Sequence, residues 1–380
     1  MRNKGSFARG SLIALILILL PVVAFSAQKV TPGSTCKVHK QKVTYQKMVF
    51  TCTKSGKKLV WSRGVTILKP TPSPTSTPSP TSTPTSFENL VENSAGIPFA
   101  AWSKAVEQIT FSKSALGNPT VIIGPNTALS YKTPLVSLNL TSALYGSIKQ
   151  VDNVYLIYYS LKDIVWAQGE FDKLNNNSTS GAGAALNNCR TESTCWGASS
   201  WVNAKGDGLL LIAVGVQDTN HTSGSLESHE YTHTIQMFQA PISYFSLPRW
   251  MLEGGAHWSQ GAATYHQNFS DYLEERKRNT GELFSNPSIY TAQWLAEFLN
   301  PNPATNWAYW ATYENYRLYD VGLLATEALV ALKGPETFMH LYTDVGSGQS
   351  FLQAFEKEYG LAWSEAVSII AQTIEAEINS

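Results

Sequence analysis

No aspartate or glutamate occurs before Glu88, and the 380 residues contain only 4 cysteines and one long apolar run. Each scarcity excludes something. A single apolar run rules out a polytopic membrane protein. Four cysteines without a close Cys-x-x-Cys pair argue against a zinc-finger arrangement. No Gly-x-Ser-x-Gly elbow is present, so that route to a serine nucleophile is absent. Charged residues are sparse at 15%, but 43% of the chain is apolar, which excludes wholesale disorder.

The missing acids divide the chain electrostatically. Residues 1–69 hold 13 Lys/Arg, and the remainder sets 15 bases against 28 acids, a net of −13 hidden beneath a formal charge of zero. Residues 1–27 read as a secretion signal, with Arg2, Lys4 and Arg9 before the apolar stretch Leu12–Phe25 and small residues around Ser26. The stretch is shorter than the roughly 20 residues of a spanning helix. An uncleaved anchor is the alternative. Export to a secreted or cell-wall-associated location then makes two local disulfides the natural pairing, Cys36 with Cys52 and Cys189 with Cys195.

Residues 28–66 alternate short β-type runs with Lys- and Gly-containing turns, so a small disulfide-stapled β module is expected. Nine Lys/Arg lie there among Tyr45, Phe50 and Trp61. Attraction to an anionic cell-wall polymer is one reading, and a merely solubilising face is the other. Nucleic acid is a poor partner for an exported chain. Pro70–Ser86 contains only Pro, Thr and Ser, with six prolines, and marks a linker over residues 67–88. In extended form at ~3.1 Å per residue it would span roughly 50 Å.

The large domain, residues 89–380, shows β-type runs first and helical patterns afterwards, which predicts an α+β fold with a small mixed sheet and a mainly helical C-terminal part. Its decisive feature is His229-Glu230-Tyr231-Thr232-His233, on a helical run from Leu226 to Phe238. Four residues' separation puts both imidazoles on one helix face, one turn apart, where they can share a metal ion. Glu230 lies beside that face, placed to act as a base without ligating. A second helix is expected after Pro248, and it carries Glu253, with 19 residues between it and His233 and so room for a turn. Gly254 and Gly255 follow, a costly pair in a helix unless two helices approach closely there.

His229-Glu-x-x-His233 followed by Trp250-x-x-Glu253-Gly-x-Ala256 resembles the gluzincin zinc metallopeptidases, and most closely the bacterial peptidase MA-like group with its thermolysin-like zinc helix. The resemblance covers most of residues 150–375 and is specific only between 229 and 258. It implies a zincin-like domain binding Zn2+ through His229, His233 and Glu253, with Glu230 as general base. It further implies that Tyr319 steadies the oxyanion, with Tyr313 and Tyr316 as competitors, and that Leu209–Val214 is the edge strand that pairs with substrate. One departure is His257, which stands where many gluzincins carry a carboxylate that orients a ligand. The resulting expectation is an exported, monomeric zinc peptidase acting on peptides or proteins. A peptidoglycan cross-link hydrolase and a surface-binding protein with a retired site are the alternatives.

Overall fold

The computed structural model describes residues 30–45, 48–66, 82–215, 219–300 and 317–380. The signal segment, most of the linker, Tyr313 and Tyr316 lie outside the described residues. The chain forms two compact units, Met1–Thr77 and Pro78–Ser380. No helix among the described residues is long and apolar enough to cross a membrane.

The first unit is an antiparallel sheet of β1 (Lys42–Tyr45), β2 (Met48–Ser55), β3 (Lys58–Trp61) and β4 (Val65–Thr66), with β2 bonded to the other three. The β2–β3 hairpin closes in two residues because Gly56 takes φ 61°, a conformation glycine adopts without strain. Its core is minimal. Val30, Phe50 and Cys52 are its buried apolar residues among those described. The Cys36–Cys52 disulfide ties the segment before β1 to the central strand.

The second unit opens with α1 (Ile97–Phe111) and then builds a four-stranded sheet. In chain order its elements are β5 (Asn118–Ile123), α2 (Pro134–Leu144), β6 (Asn153–Tyr159), α3 (Ile164–Leu174), α4 (Ala184–Asn188), β7 (Ala198–Val202) and β8 (Gly208–Ala213). The spatial order is β5-β6-β8-β7, with the first three parallel and β7 antiparallel to β8. Strand β8 is buried at every residue, as expected of a strand covered on both faces. Leu210 and Ile212 join the large helical core, while Leu209, Leu211 and Ala213 pack with Phe171 of α3 on the other face.

This order corrects one expectation. The Leu209–Val214 run falls on the interior strand β8, and the edges belong to β5 and β7, of which β7 is the neighbour of β8. An all-apolar run without alternation reports cover on both faces of the sheet, and its place between β6 and β7 is set by strand order, which the run itself does not encode. Hydrogen bonds from Ala213 N to Gly197 O and from Asn203 N to Asp207 O bracket the β7–β8 ladder. By antiparallel alternation, Ser199 and Trp201 bond to β8, leaving the backbone groups of Ala198, Ser200 and Val202 on the outer side. The Cys189–Cys195 disulfide clips the loop leading into this strand.

Helices follow: α5 (Thr219–Ser223), α6 (Ser225–Gln239), α7 (Arg249–Thr264), α8 (Phe269–Ser285), α9 (Ala292–Leu299), α10 (Arg317–Lys333), α11 (Pro335–Gly346), α12 (Phe351–Tyr359) and α13 (Trp363–Ile378). Helix α7 is packed between α6 and α10. Gly254 meets Gly322 of α10 so closely that a Cβ on Gly254 would stand 2.1 Å from the Gly322 carbonyl carbon. A Cβ on Gly255 would fall 2.8 Å from the Phe338 ring. The glycine pair thus serves helix approach, its loss of propensity offset by packing. Trp250 is fully buried and donates its indole N–H to Leu299 O at 3.1 Å, so it anchors α7 in the core.

Candidate metal centre

The straight run of α6 carries His229 and His233 on one face, with ring centroids 4.7 Å apart. Helix α7 crosses so that Glu253 faces them. The three contacts measure 3.1 Å between the Nε2 atoms, 3.3 Å from Glu253 Oε2 to His233 Nε2, and 3.7 Å to His229 Nε2. Ligands held at about 2.0–2.1 Å in tetrahedral array lie about 3.3–3.4 Å from one another. The triangle therefore has the dimensions of one face of a tetrahedron around a zinc-sized cation. Among the described residues, no other group of three His, Cys, Asp or Glu side chains approaches in this way.

Electrostatics point the same way. Burial alone would lower the His233 pKa, but the charge and hydrogen bond of Glu253, with Glu230 nearby, push it up to about 9. Burial works against ionisation of Glu253, yet the two histidines hold it well below the usual carboxylate range. Both shifts describe a cluster that favours added positive charge at its centre, from protons or from a metal.

The outer imidazole nitrogens are fixed too. His229 Nδ1 lies 2.9 Å from Gln260 Oε1, and His233 Nδ1 lies 2.9 Å from Gln236 Oε1 and 3.1 Å from the Tyr244 hydroxyl. Such partners set the tautomer and leave Nε2 for a metal. None of these three was singled out from sequence. Gln236 shares a helix face with His233, and Gln260 lies two turns beyond Glu253 on α7, so spacing could have nominated both. Tyr244 opens a single 3₁₀ turn, Tyr244–Ser246, between α6 and α7 and left no pattern.

Glu230 is buried on α6 and lines both arms of the cleft. Tyr319 comes from the first turn of α10, carried in by the Gly254–Gly322 contact one turn later. Its ring stacks on His229 at 6.0 Å and meets His257 edge-on at 5.5 Å. Burial, then the charge and hydrogen bond of Glu253, raise its pKa far above that of a free phenol, so it remains a neutral donor. His257 is outside the ligand triangle. Burial, with His229 nearby, lowers its pKa to about 3, and it bonds Asn279, so it is a neutral wall of the cleft.

The cleft has two arms, of about 610 Å³ and about 510 Å³, that meet at His229, Glu230, Tyr319 and Ala198. Strand β7 runs along the second arm from Ala198 to Val202, opposite Met237, Tyr244, Phe245 and Leu252. The first arm is charged, bordered by Arg278, Glu282, Arg317 and Asp320. No protein-family model matches this chain, and neither a curated protein nor a solved structure matches it.

Proposed function

We propose that this chain is an exported zinc-dependent peptidase of the gluzincin kind. The observation that carries the reading is the triangle of His229, His233 and Glu253 with Glu230 beside it. Zinc, when bound by these three side chains, lowers the pKa of a water and polarises a carbonyl. Glu230 takes the proton of the attacking water and later delivers it to the leaving amine. The Tyr319 hydroxyl donates to the oxygen on which negative charge develops. The outer backbone groups of β7 offer an extended peptide a ladder to join, in place of the interior strand first expected to do so. Because the cleft continues on both sides of Glu230, the bond cut is internal to a chain rather than at its end.

Two disulfides and the basic leader support an oxidising, extracellular setting. The basic module supports a second role, attachment to an anionic wall polymer. Lys37, Lys40, Lys42, Lys54, Lys57, Lys58 and Arg63 are all exposed, with no acid in the unit to neutralise them. Sedimentation with cell walls that disappears at high salt is expected.

Elemental analysis of purified protein should give about one zinc per chain, sharply reduced in Glu253→Ala. Glu230→Gln should retain zinc and lose cleavage of an end-blocked peptide library by about 10²–10⁴-fold. Full zinc occupancy in Glu253→Ala, or undiminished cleavage by Glu230→Gln, would overturn the reading. Metal without turnover in the wild type would make the site structural.

A further inference from the structure

We propose that Glu275, on α8 and outside both motif helices, is a positioning residue for His229, acting through Gln260. This rests on the reading of His229 as a metal ligand. Three contacts carry it. His229 Nδ1 lies 2.9 Å from Gln260 Oε1, Gln260 Nε2 donates to Glu275 Oε1 at 3.4 Å, and Asn279 Nδ2 donates to the same oxygen at 2.9 Å. Gln260 is 3% exposed and Glu275 2%, so the relay lies almost wholly in the protein interior, at the wall of the first arm. Arg278 pairs with the Glu275 carboxylate from the half-exposed side.

The direction of the relay follows from hydrogen-bond chemistry. An ionised carboxylate only accepts, so the Gln260 NH2 must face Glu275 and its carbonyl must face His229. His229 Nδ1 must then carry the proton, and the lone pair is fixed on Nε2, toward Glu253 and His233. The negative charge behind Gln260 polarises the amide and strengthens its hold on the imidazole. Among the described residues, no carboxylate bonds to the amide partner of His233 in the same way. The NH2 of its partner Gln236 faces the Leu252 carbonyl at 3.3 Å and the Tyr342 hydroxyl at 3.0 Å, both neutral. The two imidazoles thus share a tautomer but differ in what stands behind it, a carboxylate for His229 and neutral groups for His233. This places, one residue further out, the carboxylate that position 257 lacks.

The test is made on the full chain with zinc titrated against a chromophoric chelator, alongside thermal melting of the metal-free protein. Glu275→Gln should weaken zinc binding about 10-fold, the lower end of losses seen for groups that orient a ligand. The double variant Gln260→Glu with Glu275→Gln puts the carboxylate directly on His229 and an amide behind it, and should recover affinity to within about threefold. Gln260→Glu alone sets two carboxylates face to face and should bind worse than Glu275→Gln. Unchanged affinity in Glu275→Gln, or a double variant weaker than either single one, would overturn the relay. Long-range proton–nitrogen spectra of the metal-free protein report the tautomer independently. The Nδ1–H form of His229 should dominate in the wild type and become mixed in Glu275→Gln. If the wild type takes up no zinc, the metal-centre reading fails, while an unmixed tautomer in Glu275→Gln would sink the relay by itself.

Discussion

In the small sheet of residues 30–66 every described lysine and arginine stands exposed, while in the Pro78–Ser380 unit Arg317 is buried and Arg276 half-buried, each among carboxylates. Size explains the difference. A few dozen residues enclose too little volume to desolvate a charge and surround it with partners, whereas a domain of some hundreds can. Function is therefore written differently in each. The module's chemistry lies on its outside, in repulsive like charges that a polyanion would neutralise. The large unit's chemistry lies inside, where low dielectric makes each carboxylate and imidazole count.

The largest expected effect breaks the small unit alone. Its core among described residues is Val30, Phe50 and Cys52, so the Cys36–Cys52 bridge must supply most of its stability. Closing a loop of sequence separation 16 is worth about 3 kcal/mol by chain entropy. Replacing both cysteines by serine should abolish amide protection across residues 30–66 in hydrogen exchange and leave 82–380 unchanged. Persistent protection would mean that so small a core suffices. The Cys189–Cys195 bridge has a separation of only 6. Its removal should cost about 2 kcal/mol and loosen only the approach to β7.

Next comes a substitution that the large unit cannot absorb. In Gly254→Ala the new methyl meets the Gly322 backbone, which has no rotamer to yield, and the melting temperature should fall by the equivalent of about 3 kcal/mol. Tyr319 would be displaced with α10. The matched change in the module, Gly56→Ala, meets no atom within 4 Å and carries only the left-handed backbone cost at φ 61°, about 1 kcal/mol. Equal losses in the two variants would erase the contrast in packing.

Cysteine placement made the disulfides legible in the sequence, and local periodicity the helices α6 and α7 and the mixed α+β class. These features are set by residues near one another in the chain. His229, His233 and Glu253 could be nominated because two of them share one helix face and the third follows a helix start at Pro248. What stayed hidden depends on strand order and on distant helices. The edge position of β7 is a property of the sheet, since Ala-Ser-Ser-Trp-Val shows no pattern of its own. Glu275 belongs to a polar stretch of α8 and becomes meaningful only where α8 packs beside Gln260. Gly254 and Gly255 signalled a close helix approach in the sequence, but that Gly322 of α10 is what Gly254 meets emerged only with both helices in view.

The smallest effect concerns buried charge at the end of the chain, which the module cannot imitate. Arg276 is shared by Glu327 and Glu377, and Tyr272 donates its hydroxyl to Glu327. One guanidinium cannot neutralise two sealed carboxylates, and burial, only partly countered by Arg276, holds the Glu377 pKa above the usual carboxylate range. An acid whose pKa is raised on folding binds more protons folded than unfolded. Stability is then greatest below the unfolded value near pH 4 and falls as pH rises through the window up to the folded value. Glu377→Gln removes that slope while keeping an oxygen to accept from Arg276. Melting curves of wild type and variant should nearly coincide at pH 5 and diverge by about 1 kcal/mol at pH 8, the variant being the more stable. A wild type that gains on the variant with rising pH would mean that Arg276 carries both charges with ease. The module offers the internal control. With no carboxylate before Glu88, its own unfolding should show no such slope across the same window.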